Sequence, residues 1–291
     1  MSLTSRRRVR PRLAAALGVL ALAVVLAGCG TGGPGRARYL GLPEQSSDKA
    51  AYIGDLWVGA WIACLAVGAV VWGLMIWAFT RYRRSAKNQI PRQTTYNMPL
   101  EVMYTIVPFL IIGALFYYTL NTQNRVLAAE NDQDVTIDVV GQKWSWTFNY
   151  LDESGEPIAY DNGTIENTPT FLVPVNQKIK FNLNSPDVIH SFWVPSFYFK
   201  LDVIPGRTNS FEVTPNREGT FAGKCAELCG TYHSAMLFNL KVVSQAEYDA
   251  YLADLVAQGK TGRADGFRGG VATPTVPAGH GEEEATQEGA R

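Results

Sequence analysis

Residues Val135-Thr-Ile-Asp-Val139, continued by Trp144-Ser-Trp-Thr-Phe148, decide the fold of the larger part of this chain. In each run the apolar side chains occupy every second position. Ile179, Phe181 and Leu183 repeat the pattern, as do Phe238, Leu240 and Val242. Alternation in short runs bounded by Gly, Pro, Asn and Asp predicts half-buried antiparallel strands. Residues 132–244 have room for roughly eight to ten strands of ordinary length, which predicts an all-β Greek-key sandwich. Trp144, Trp146 and Phe148 are expected to share one strand face.

Upstream of Leu120 the pattern is different. Leu56–Thr80 contains no charged residue. A helix of about 25 residues at ~1.5 Å each is long enough for a hydrocarbon core of ~30 Å. Val102–Leu120 makes a second span, with Pro108 inside it, a position that membrane helices tolerate. Arg81, Arg83, Arg84, Lys87 and Arg92 lie between the spans with no acid among them, so the connection is expected on the cytoplasmic side. The expected membrane hairpin covers residues 51–124. Cys64, within the first span, reads as a small packing residue.

Residues 1–28 read as an export signal: Arg6, Arg7, Arg8, Arg10 and Arg12 precede the apolar run Leu13–Ala27. The run ends in Leu26-Ala-Gly-Cys29, similar to a bacterial lipobox, which implies cleavage before Cys29 and a diacylglyceryl group on it. An ordinary cleavage site with an incidental Cys is the alternative. Residues 29–50 would form the mature N-terminal segment. At the other end, Ser244-Gln-Ala-Glu247 reads as a capping box that starts a helix over residues 245–258. From Gly259 to Arg291, Gly, Pro, Thr, Ala and Glu dominate, which predicts a disordered tail with His280 solvated. The net charge of zero argues against a nucleic-acid partner. No Cys-x-x-Cys-His is present, so no c-type haem is attached.

The chemistry is concentrated in Cys225-Ala-Glu-Leu-Cys229-Gly-Thr-Tyr-His233-Ser-Ala-Met236, with His190 well upstream. Two thiols, two imidazoles and a thioether form a soft donor set suited to copper. A mononuclear blue-copper site uses one Cys, two His and a weak axial Met. The second Cys is surplus to that, and two thiolates four residues apart can bridge two ions. His190 and His233 would then terminate one ion each, with Met236 and the Glu227 carbonyl as weak axial ligands. A disulfide between the two Cys is the competing reading for an exported domain. Structural zinc normally adds a second close ligand pair, whereas His190 stands alone.

The segment Cys225–Met236, with Asp187-Val-Ile-His-Ser-Phe-Trp-Val-Pro195 before it, resembles subunit II of bacterial haem–copper cytochrome c oxidases of the aa3 type. Gly141-Gln-Lys-Trp-Ser-Trp146, Ile204-Pro-Gly-Arg207 and Leu100-Glu101 extend the resemblance over roughly residues 50–245. It implies a cupredoxin-like outer domain with a binuclear copper A centre on His190, Cys225, Glu227, Cys229, His233 and Met236. That centre would take electrons from cytochrome c, or from a membrane-bound cytochrome c of a supercomplex. It would pass them to the haem–copper centres of subunit I, where oxygen reduction drives proton pumping. The same resemblance implies a magnesium or manganese ion at the Glu227 carboxylate, shared with subunit I, and electron entry at Trp144. Glu101 reads either as the entrance of a proton path or as an ordinary helix-start carboxylate. Subunits I and III and membrane lipids are the implied partners. The implied location is the bacterial plasma membrane, with the copper domain and both mature termini outside. Asp152, Glu153, Glu156, Asp161 and Asp187 are expected to attract a basic donor. A copper-free quinol oxidase subunit II and a copper chaperone lipoprotein are the alternatives. Nitrous-oxide reductase is excluded, because three His cannot supply its second metal site.

Overall fold

Long apolar stretches with polar residues near their ends make two long helices, α1 (Ala50–Arg81) and α2 (Met98–Val126). The computed structural model describes residues 39–83, 93–130, 132–265, 267–268 and 271–272. The export signal, Cys29, Arg84, Lys87, Arg92 and His280 lie outside them. The chain divides into two compact units, Met1–Ala128 with Ser196–Tyr198, and Ala129–Pro195 with Phe199–Arg291.

Both helices run beyond the expected spans at each end. The Asn97 side chain accepts the Leu100 N–H, Pro99 follows in the first turn, and the Glu101 carboxylate accepts the Asn97 N–H at 2.8 Å. This reciprocal cap satisfies donors that a helix start leaves unpaired. Large apolar side chains point outward along both helices, among them Trp72, Phe79 and Phe109, and Cys64 is exposed with them. A helix that is apolar all round and unburied by its own chain is matched to hydrocarbon as its solvent. Before α1, the Tyr39 ring packs on Gly54, where a Cβ would lie 2.6 Å from it.

The second unit is the expected all-β sandwich, built from ten strands. They are β1 (Val135–Gln142), β2 (Ser145–Leu151), β3 (Pro157–Asn162), β4 (Thr170–Pro174), β5 (Ile179–Asn184), β6 (His190–Val194), β7 (Phe199–Val203), β8 (Asn209–Val213), β9 (Gly219–Cys225) and β10 (Leu237–Val243). One sheet has the order β3-β2-β1-β5-β8 and the other β4-β10-β9-β6-β7. Pairing is not antiparallel throughout, as alternation alone had suggested: β1 with β5 and β4 with β10 are parallel. Between β1 and β5 the chain visits the other sheet as β4, so β5 returns beside β1 in the same direction.

The core lies between the sheets and is aromatic. Phe148 stacks on Phe171 across the sandwich at 3.8 Å, Trp146 meets Phe238 at 5.2 Å, and Phe181 meets Phe192 at 5.5 Å. Each such pair contributes about 0.5–1.5 kcal/mol beyond its buried area. Phe238 lies flat on Gly223 of the neighbouring strand, where a Cβ would come within 2.0 Å of the ring. Trp144 is not part of this core, contrary to the face expected from alternation. The strand begins at Ser145, and residues 143–144 form the turn that joins β1 to β2.

α3 (Gln245–Ala257) follows with Ser244 capping the Glu247 N–H, as the box at its start predicts. The expected disorder from Gly259 is corrected for the first residues of the tail. Lys260 pairs with Asp161 at 2.7 Å, Arg263 with Asp138 at 2.7 Å, and Ala264 exchanges two hydrogen bonds with the Asn149 side chain. The segment thereby covers the outer face of β1 to β3. Polar side chains there, Asp138, Asn149 and Asp161, are buried along with the core-facing ones. Polar complementarity holds this strap, so hydrophobic periodicity gave no sign of it.

Candidate metal centre

A loop between β9 and β10 is closed at its base and tied at its side. The Cys225 N–H donates to the Met236 carbonyl at 3.0 Å, which pins the two ends of the loop together. The Ala226 N–H donates to the Ser191 carbonyl at 3.0 Å and binds the loop to β6. Within it, a short 3-10 turn over His233–Ala235 presents His233. Gly230 has φ 126°, a conformation that side chains resist, and it carries the backbone under the Trp144 indole.

That construction brings the sequence-predicted donors together. Cys225 Sγ lies 3.9 Å from Cys229 Sγ and 3.9 Å from His190 Nδ1. Cys229 Sγ lies 3.6 Å from His233 Nδ1 and 3.8 Å from Met236 Sδ. The Glu227 carbonyl oxygen is 3.2 Å from Cys225 Sγ. Donor atoms of His190, Cys225 and Cys229 all lie within 4.8 Å of one another. The sulfurs are too far apart for a disulfide, whose bond is about 2.05 Å, and both thiols are free. Each sulfur has its own imidazole, and the carbonyl and thioether fall to different sulfurs. The donor set therefore fits a two-copper group in number, softness and placement.

Burial and hydrogen bonding prepare these donors for metal. His190, Cys225, Cys229 and Met236 are buried, while His233 is half-buried. His190 Nε2 is 2.8 Å from Asp187 Oδ1, which leaves Nδ1 to face the sulfurs. Burial pushes the His190 pKa below its usual value against the pull of Asp187, so the ring is neutral as ligation requires. Burial opposes charge on Asp187, yet the Lys143 N–H, His190 and the Val188 N–H hold its carboxyl below the usual range. Burial first, and then the neighbouring Cys225, pushes the Cys229 thiol up to about 12. A thiolate at Cys229 is thus unfavourable here without a cation, and metal entry must displace its proton.

Asp187, expected to steer a donor, is exposed and also orients His190, in the carboxylate–histidine arrangement typical of metal sites. Its spacing of three residues before His190 was the available signal. Trp146 and Gly141 are further contributors missed from the sequence. Trp146 Nε1 donates to the Met236 carbonyl at 3.4 Å, and its ring meets His190 edge-on at 6.3 Å. A Cβ on Gly141 would sit 3.0 Å from Trp146 and 3.4 Å from His190, so glycine lets both approach.

Trp144, in the turn between β1 and β2, is partly exposed and meets Tyr232 of the Cys225–Met236 loop edge-on at 5.0 Å. The Glu227 side chain is exposed within that loop. The other acids expected to face a donor do not gather here. Asp161 is buried in its pair with Lys260 and accepts from the Tyr251 hydroxyl. Asp152, Glu153 and Glu156 follow the far end of β2, roughly 20 Å along the strand from Trp144.

Residues 135–243 match the family described as cytochrome c oxidase subunit II, periplasmic domain, and residues 36–121 match its transmembrane domain. A probable cytochrome c oxidase subunit 2 of Streptomyces avermitilis is 45% identical over 258 residues, which cover 77% of this chain and 81% of the relative. Cytochrome c oxidase subunit 2 of Mycobacterium tuberculosis is 36% identical over 304 residues, covering 86% of this chain and 82% of the relative. Among solved structures, the periplasmic domain of subunit II of the cytochrome oxidase of Bradyrhizobium japonicum aligns with a TM-score of 0.40 and 30% identity. It covers 44% of this chain and 96% of that one.

Proposed function

The chain belongs to the family of cytochrome c oxidase subunit II, a component of a membrane-bound haem–copper oxidase, and on that premise we propose a binuclear copper A centre at the Cys225–Met236 loop. The observation that carries this reading is the central pair of thiols, with one imidazole nitrogen against each. When bound, the copper pair supplies one-electron redox chemistry with little rearrangement, because charge is shared over two metals and two sulfurs. Asp187 holds His190 in the orientation that offers Nδ1, and Trp146 supports the Met236 carbonyl from below. Both sulfurs are buried, and burial is one lever on the potential of such a site. The copper-free quinol oxidase reading is not favoured, since every donor is present and convergent.

Trp144 is the proposed electron entry from a cytochrome c, free or tethered to the membrane. It lies over Gly230, directly beside Cys229 in sequence, and is partly exposed. In the purified complex, Trp144→Ala should slow electron transfer from reduced cytochrome c far more than it lowers copper content. Equal losses of rate and copper would reduce Trp144 to a packing role. Subunits I and III are the proposed partners, and electrons pass to the haem–copper centres of subunit I.

The Glu227 carboxylate is proposed to reach a magnesium or manganese ion shared with subunit I. Glu227→Gln should lower Mg/Mn content and leave the copper spectrum intact; a change confined to copper would refute it. Glu101 is engaged in capping α2, which supports its helix-start role directly. A second role at a proton-path entrance requires slower haem reduction in Glu101→Ala at unchanged copper content. The basic connection between the helices supports a plasma-membrane placement with the copper domain outside. An N-terminus at a diacylglyceryl-bearing Cys29 is proposed from the lipobox alone, and mass spectrometry of the mature chain reads it. Cleavage elsewhere without lipid would exclude it.

A further inference from the structure

A cleft of about 630 Å³ runs between α1 and α2, within the helical unit. Its lining changes character along its length. Gly59, Ala60 and Ala63 on α1 face Ala114 on α2, and these small side chains leave room between the helices. Toward the end from which the chain continues into the β sandwich, the lining becomes polar: Tyr52, Asp55, Asn121 and Arg125. The Arg125 guanidinium lies 5.5 Å over the Tyr52 ring, and Lys49 Nζ donates to the Arg125 carbonyl at 3.2 Å. Among the described residues no carboxylate pairs with Arg125.

Length narrows the occupant. From Tyr52 to Ala63 the helix rises roughly 16 Å, and from Ile111 to Arg125 roughly 21 Å. That is about one leaflet of a hydrocarbon core ~30 Å thick. A spanning helix from another subunit needs a groove of twice this length, whereas an acyl chain needs no more. Charge narrows it further. One guanidinium and one carboxylate at the polar end complement a headgroup that carries both signs. A phosphate accepts hydrogen bonds from Arg125, which an isolated anion-binding guanidinium does well, and a primary ammonium donates to Asp55.

We propose that this cleft is a lipid site that holds one phosphatidylethanolamine, with its phosphate on Arg125, its ammonium on Asp55 and an acyl chain along Gly59, Ala60, Ala63 and Ala114. The inference rests on the two helices spanning the bilayer and is independent of the copper assignment. The site makes lipid part of the helix pair, because it fills a gap that the small side chains leave open.

The test uses the intact oxidase complex, purified and exchanged into lipid-free detergent, with retained phospholipid identified by mass spectrometry. Wild type should keep phosphatidylethanolamine. Arg125→Gln should lower its retention about fivefold, the factor expected from one basic residue at a lipid headgroup. Asp55→Asn should shift the retained lipid toward phosphatidylglycerol, which has no ammonium. Copper content and spectrum should be unchanged in both, which separates this site from the metal centre. Retention that is equal in wild type and both variants, or phosphatidylglycerol as the lipid kept by wild type, would overturn the proposal. If Arg125→Gln does not assemble, a photoreactive side chain placed at Ala114 decides instead. Its adduct should have the mass of a phospholipid, and an adduct to another polypeptide would overturn the proposal.

Discussion

Two irregular segments lie against the same sandwich, the loop Cys225–Met236 and the strap Lys260–Ala264, and they are held in different ways. The loop is fixed by its own closure and by side chains that converge on one point, with Cys225, Cys229 and Met236 buried. The strap has no buried apolar anchor. It is held by Lys260 on Asp161, Arg263 on Asp138 and Ala264 on Asn149, with backbone bonds from Tyr160 to the Lys260 carbonyl and from Gly262 to the Ile158 carbonyl. The first segment carries reactive chemistry on a rigid frame. The second carries none and seals a polar sheet face. Changes in the loop should therefore be read in metal and electrons, and changes in the strap in stability alone.

The largest effects belong to the two sulfurs. Cys225→Ser or Cys229→Ser should abolish the binuclear copper signal, because a hydroxyl is a hard ligand that does not bridge two soft ions. His190→Ala should do nearly as much. Met236→Leu should retain the signal with a shifted potential and weaker copper retention, since volume is nearly conserved and only an axial contact is lost. Copper spectroscopy on the series ranks them, and Met236→Leu matching Cys225→Ser in damage would refute its axial role.

One step outward, Asp187→Asn keeps the shape but weakens the orientation of His190. Copper affinity should fall about 10–100-fold, the usual range for an outer-shell partner of a ligating imidazole. Unchanged affinity in a copper titration would return Asp187 to the surface role expected from sequence.

How legible the two segments were follows from what holds them. The donor residues carry their own chemical signature, so Cys225, Cys229, His233 and Met236 could be grouped from spacing and softness. His190 joined them by scarcity and resemblance. The sandwich was legible from Ile137, Val139, Phe181 and Leu240, whose alternation is the pattern of a half-buried strand. The parallel partners β1 and β5 were not, because alternation reports a buried face and is silent on strand direction. Trp144 was misplaced for a related reason: its parity matches Trp146, but the strand starts one residue after it. The strap was invisible because Lys260 and Arg263 look like solvated charges until Asp161 and Asp138 are placed beneath them.

The strap gives the next smaller effect. Lys260→Ala with Arg263→Ala removes the cation from each of the buried carboxylates Asp161 and Asp138 and leaves them neutral donors, Tyr251 and Asn182 among them, at a cost of about 1–3 kcal/mol each. Denaturant unfolding of the copper-loaded protein should show that loss with an unaltered copper spectrum. A changed spectrum would mean that the two segments are coupled.

The smallest effect under ordinary conditions is a response to alkali where Tyr248 and Tyr251 of α3 meet Tyr150 of β2. Burial raises the pKa of Tyr150, Tyr248 and Tyr251 above the usual value of 10.0. A raised folded pKa means that the unfolded chain loses these protons first. The stabilisation is complete below about pH 10 and declines as pH rises beyond it. Tyr150→Phe should flatten that decline in unfolding measured against pH. An identical decline in the variant would place its cause elsewhere.

Whether two copper ions share this loop is decided by paramagnetic resonance of the oxidised complex, read together with copper content. Two coppers at this site should give an unpaired electron with hyperfine coupling to both nuclei, lost in Cys229→Ser. A single copper with coupling to one nucleus would contradict the binuclear assignment.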